Sequence, residues 1–205
     1  MFAGETELLI LQREWRGESG VLVHGVSPSR GRLVLTLPGT ASPKGKGHDG
    51  IDLFTQVRID LQPHPKRSSF MLVKDVHVLR CFRDLGASFE RLQSAASIAR
   101  FTLAHCHEND PAPLHFSACL RSLAWLEAGG HVAAARTLMH VAHLASHGSM
   151  PSDGLSPTQV RLLEKLLLAC ADETQPMPNL SDEQWCSLDD WSRQLLIWAD
   201  LDAAY

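Results

Sequence analysis

The hydrophobic period of this chain changes once, from two to about 3.6, and the change near Arg83 separates what can be a sheet from what can be helices. Ahead of it Leu33, Leu35 and Leu37 alternate with other residues. Ile51, Leu53, Val57, Ile59 and Leu61 fall on one face of a second run, and Phe70, Leu72, Val76 and Val78 on one face of a third. With the apolar stretches in Glu7–Arg13 and Val21-Leu22-Val23, these predict five short strands that end near Leu79. Ser27-Pro28-Ser29-Arg30-Gly31 supplies turn chemistry between the second and third. Five closely spaced strands have few ways to protect their edges, so a closed or nearly closed small β-barrel is expected.

Beyond Arg83, Leu85, Phe89, Leu92, Ala96, Ala99 and Leu103 form a helical stripe that Asp110-Pro111 ends. Pro113–Ala128 reads as a second helix closed by Gly129-Gly130, and His131–Ser146 as a third ended by Gly148. Ser156-Pro157 has the form of an N-cap followed by proline at the first helical position. Ser181-Asp182-Glu183-Gln184 fits a capping box before a fifth helix carrying Trp185, Leu188, Trp191, Leu195 and Trp198. The expected class is α+β, with a strand domain over residues 1–81 and a helical domain over 82–205.

An apolar fraction of 44% in 205 residues suffices for a packed core and argues against disorder. The net charge of −4 hides an asymmetry: 12 Lys and Arg against 9 Asp and Glu up to Asp84, then 7 against 14. No run of 18 apolar residues occurs, and Glu5 stands where a secretory leader carries a base, so a soluble cytoplasmic protein is expected. Cys81, Cys106, Cys119, Cys170 and Cys186 are odd in number and never paired as Cys-x-x-Cys, which suggests reduced, buried thiols rather than disulfides or a zinc ribbon.

Two motifs that would mean catalysis fail. In Gly39-Thr40-Ala41-Ser42-Pro43-Lys44-Gly45-Lys46-Gly47 the glycines stand one residue too far apart for a phosphate-binding loop, and Gly47 replaces the hydroxyl that would hold magnesium. Gly17-Glu18-Ser19-Gly20 starts as a nucleophile elbow but has Val21 where the closing glycine belongs. His140, His143 and His147 share a helix face at a spacing that can hold a metal. No Asp or Glu lies within 131–148 to orient the rings, so a polar surface stripe or packing histidines are favoured over a metal-dependent enzyme.

The remaining constellation is electrostatic. Arg13 and Arg16 stand at the first connection, Arg30 and Arg32 at the second, Lys44 and Lys46 in the third, Lys66 and Arg67 in the fourth. If these loops converge at one end of a barrel, their cations can neutralise phosphates without reading bases; ordinary solvated loop charges are the competing reading. Few rings are available for base stacking: Trp15, Phe54 and Phe70.

Taken in order, these segments resemble the RecO family of bacterial recombination mediators over roughly residues 5–151. Leu8-Leu9-Ile10-Leu11-Gln12-Arg13, then Gly17-Glu18-Ser19 and Val21-Leu22-Val23, follow the family's opening, and Arg30-Gly31-Arg32 and Leu37-Pro38-Gly39 match its next turns. Leu53-Phe54 is similar to a strand start of the family. Phe82-Arg83-Asp84-Leu85 with Leu92, Ala95 and Ala96 resembles its first helix, and Leu120, Leu123 and Leu126 before Gly129-Gly130 its second. Many members carry a four-cysteine zinc module where this chain, beyond Gly148, has only Cys170 and Cys186, which identifies a shortened member without zinc. The resemblance implies an OB-type barrel and a cytoplasmic, nucleoid-associated protein that needs no cofactor and performs no bond-making. It would bind single- and double-stranded DNA, promote annealing and help load recombinase. The implied partners are RecR and the C-terminal tail of single-strand-binding protein, with Arg91, Arg100 and Arg121 as the available bases on the first two helices. An interaction module that has shed DNA binding is the alternative on the same scaffold.

Overall fold

The computed structural model describes residues 4–16, 20–38, 51–64, 67–151 and 153–201. The chain is α+β: strands β1 (Gly4–Arg16), β2 (Gly20–Ser27), β3 (Gly31–Pro38), β4 (Thr55–His64) and β5 (Arg67–Cys81) precede helices α1 (Phe89–His105), α2 (Pro113–Glu127), α3 (Val132–Ser146), α4 (Pro157–Ala171) and α5 (Asp182–Trp198). Two compact units are present. One joins residues 1–82 to the connector 105–113, and the other joins 83–104 to 114–205.

All strand pairs are antiparallel, in the order β3-β2-β1-β4-β5. Alternation produces one core from all five: Leu8 and Ile10, Val21 and Val23, Leu35 and Leu37, Val57, Ile59 and Leu61, and Val73 and Val76 pack with Ile51. A flat sheet would hold its edge strands roughly 19 Å apart, four spacings of about 4.8 Å. Residues of β3 and β5 instead lie within 8 Å, Cα to Cα, so the sheet is strongly curled. No backbone ladder joins those edges among the described residues, so of the closed or nearly closed barrel expected, the sheet there is curled with its edges close but not closed.

Local chemistry explains where the strands depart from simple alternation. Ile51–Phe54 is a turn ahead of β4, with Phe54 at φ 55°, so Leu53 is exposed rather than part of the inward row. Register shifts between Asp60 and Leu61 make Val76 and Val73, three apart, face the core opposite Ile59 and Leu61, which leaves Leu72 outside.

A single 3-10 turn (Arg83–Ala87) stands where the first helix was expected to begin, and α1 starts after Ser88. Ser156 with Gln159 and Ser181 with Gln184 form complete capping boxes at the starts of α4 and α5. In the helical unit α3 is nearly all buried and packs against both α4 and α5. Among the described residues no helix is long and apolar enough to cross a membrane.

Candidate nucleic-acid interface

Strand direction decides where the basic connections can stand. In an antiparallel meander, successive connections fall at alternate ends of the sheet. Arg16 faces Gly20 and Gly20 faces Pro38, so the first connection and the departure from β3 share one end. Ser27 faces Gly31 and His64 faces Arg67, and both of these turns lie toward the opposite end, where Gly4 begins β1 opposite Leu61. Nine residues of β1, about 30 Å at ~3.3 Å per residue, separate Gly4 from Arg13. The expectation of one common cradle is corrected accordingly. Arg13 and Arg16 belong to one end, and Arg30, Arg32 and Arg67 to the other. Lys44, Lys46 and Lys66 lie outside the described residues.

Each described cation has its own surroundings. Arg13 lies within β1 rather than in the turn, and its Nη1 donates to Asp52 Oδ1 at 3.2 Å. Arg16 closes β1, and Arg67 opens β5. Arg30 and Arg32 are half-buried and flank a docked segment: Arg32 N donates to His107 O (3.0 Å), Asn109 N donates to Arg30 O (3.1 Å), and Gly31 bridges to Glu108. In the sequence Asp110-Pro111 signals only the end of one helix and the start of the next, whereas in the structure the 105–113 connector belongs to the strand unit. Its pairing with the β2–β3 turn adds Glu108 and Asp110 to the strand unit, which then holds eleven Lys and Arg against ten Asp and Glu. The expected basic excess of that half falls to a single charge.

The solvent side of the sheet is mixed in sign. Glu5, Asp60 and Asp75 stand in register across β1, β4 and β5. Arg58 lies 3.9 Å from Glu7, Lys74 3.8 Å from Asp60, and His77 3.1 Å from Asp75. A shallow cavity of about 250 Å³ there is lined by Glu5, Asp60 and Asp75 together with Arg58, Lys74 and His77, a surface that offers a phosphate backbone little net attraction.

The bases proposed for partner binding do not form one patch. Arg91 and Arg100 are nine residues apart on α1, which puts them on opposite faces at 100° per residue. Arg91 lies over Gly129, and Arg100 is exposed and donates to Ser97 Oγ at 3.1 Å. Arg121 serves the fold: its guanidinium donates to Glu173 O and Gln175 O at 2.7 Å each, holding the segment between α4 and α5.

His140 and His143 are buried, so of the two readings favoured by sequence the packing one holds for them, while His147, the C-cap of α3, is exposed. His115 Nε2 and His143 Nδ1 are 2.9 Å apart, and Phe101 meets both His140 and His143 edge-on. His140 Nδ1 lies 2.9 Å from Ser192 Oγ and 3.6 Å from Asp189 Oδ1, and Arg136 donates two bonds to Asp189 Oδ2, at 2.8 and 2.6 Å. The missing carboxylate is supplied by α5, at a distance in sequence that helical spacing cannot reveal. Burial, helped by Arg136 and Arg193, lowers the His140 pKa to about 3, and burial raises that of Asp189 despite Arg136. Among the described residues no group of three His, Cys, Asp or Glu is arranged to hold a metal.

The thiols offer no activated nucleophile where a shift is resolved: burial, then Asp110, pushes Cys106 up to about 12, and burial alone does the same for Cys170. Cys186 is exposed, unlike the expected buried set. Neither a family model nor a curated protein matches this chain.

Proposed function

We propose that the chain is a non-catalytic DNA-binding protein of the recombination-mediator kind, which grips the phosphate backbone of single strands and promotes their annealing. The observation that carries this reading is the shared end of the first and third connections: Arg16 and Pro38 both adjoin Gly20, and Lys44 and Lys46 follow Pro38. The OB-type reading of the strand unit is supported by β1 pairing with both β2 and β4 in a curled five-stranded sheet whose edges approach each other. Cations in connections that leave the same end would hold phosphates without base selectivity. RecR and the tail of single-strand-binding protein are proposed partners on the strength of the sequence resemblance alone.

Annealing of complementary oligonucleotides, bare and coated with single-strand-binding protein, tests this reading. The unaltered chain should accelerate pairing. Reversal of Arg16, Lys44 and Lys46 to Glu should abolish the acceleration, whereas reversal of Arg30, Arg32 and Arg67 should leave most of it. Absence of acceleration by the unaltered chain contradicts the proposal.

The in-register row Glu5, Asp60 and Asp75, with ion pairs beside it, favours a second reading, an interaction module that does not bind DNA. Capture of RecR without any DNA shift would select that one.

A further inference from the structure

We infer that the groove between α4 and α5 is a docking site for a basic amphipathic helix of a partner protein. The groove encloses about 510 Å³ and is lined by Leu162, Leu163, Leu180, Leu188, Trp191 and Glu183, with Gln159, Gln184 and Ser187 completing the wall. Its volume is in the range that takes ligands or bulky side chains.

Several of the polar groups are already engaged. Gln159 Oε1 accepts from Ser156 N at 2.8 Å, and Gln184 Oε1 accepts from Ser181 N at 2.9 Å, each closing its own capping box. Ser187 Oγ donates to Glu183 O. What the groove offers a visitor is therefore leucine and tryptophan surface with the Glu183 carboxylate at its rim. That carboxylate makes no ion pair among the described residues.

Shape and charge name the occupant. The lining on α5 runs from Glu183 to Trp191, about 12 Å of helix at 1.5 Å per residue, and matches helix-in-groove recognition by anchors three or four residues apart. Residues 153–200, which include both walls, carry nine Asp and Glu against Arg161, Lys165 and Arg193. An acidic tail would meet this field with the wrong sign, and lysines or arginines flanking the apolar anchors would meet it with the right one.

The test uses the full chain and two labelled synthetic helices of about four turns with the same leucine row, one flanked by Lys and one by Glu. The Lys-flanked probe should bind, and the Glu-flanked one should not. Glu183→Lys, on an exposed first turn, should weaken binding about fivefold, the loss of one exposed charge pair. Glu90→Lys, an equal change of net charge on α1, should leave it unchanged. Equal binding of both probes, equal effects of the two substitutions, or no binding of the Lys-flanked probe overturns the assignment.

Discussion

Gly31 is at φ 65°, and a Cβ there would strike the carbonyl oxygens of His107 and Asp110. Both a left-handed backbone and a close approach thus demand glycine at the point where the connector docks on the β2–β3 turn. Gly31→Ala should destabilise the protein by about 2 kcal/mol or more in urea unfolding, since strain and lost docking add. His140 is the corresponding polar case. Its pKa is about 3 in the fold against an ordinary 6.5, so the unfolded chain takes up the proton first. The contribution of the neutral ring is complete above pH 6.5 and is lost as pH falls toward 3. Asp189, raised by burial, acts in the opposite sense, its protonated form being favoured by the fold. In His140→Gln the acid-side loss disappears. The stability gap between the parent and this variant should therefore shrink by about 2 kcal/mol from pH 7 to pH 5, measured by chemical denaturation at each pH. An unchanged gap would show that His140 is not the group taking up the proton.

At the scale of elements, the clamp between α3 and α5 is the feature least visible in the sequence. The capping boxes at Ser156 and Ser181 could be read because their partners are three residues away, and the existence of five strands followed by five helices could be read from the period. Asp189 looked like one of four acids on α5. Its role depends on Arg136 and His140, some fifty positions earlier, brought near by packing alone. The same limit hid the connector at 105–113, whose bonds to Arg30 and Arg32 are backbone bonds and leave no side-chain signature. Asp189→Asn should cost about 1–2 kcal/mol, because Arg136 is partly exposed and water would compensate part of the loss. Asp190→Asn, on an exposed neighbour, should change stability by less than about 0.5 kcal/mol in the same urea titration.

Over the whole molecule, topology overrules composition. Eight cations spread over four connections suggested one cradle, but antiparallel pairing sends those connections to alternate ends, and the connector's acids cancel most of the excess. The sequence showed which residues were basic, but not which of them share an end, because that follows from strand order. If the end where β1 stops at Arg16 and the chain leaves β3 toward Lys44 and Lys46 binds single-stranded DNA, affinity for an oligonucleotide measured across salt concentrations reports on it directly. With three or four phosphates neutralised, log affinity should fall against log salt with a slope of about −2 to −3, and reversal of those three residues should flatten it toward zero. No binding at low salt, or a slope that responds only to Arg30, Arg32 and Arg67, would contradict the account.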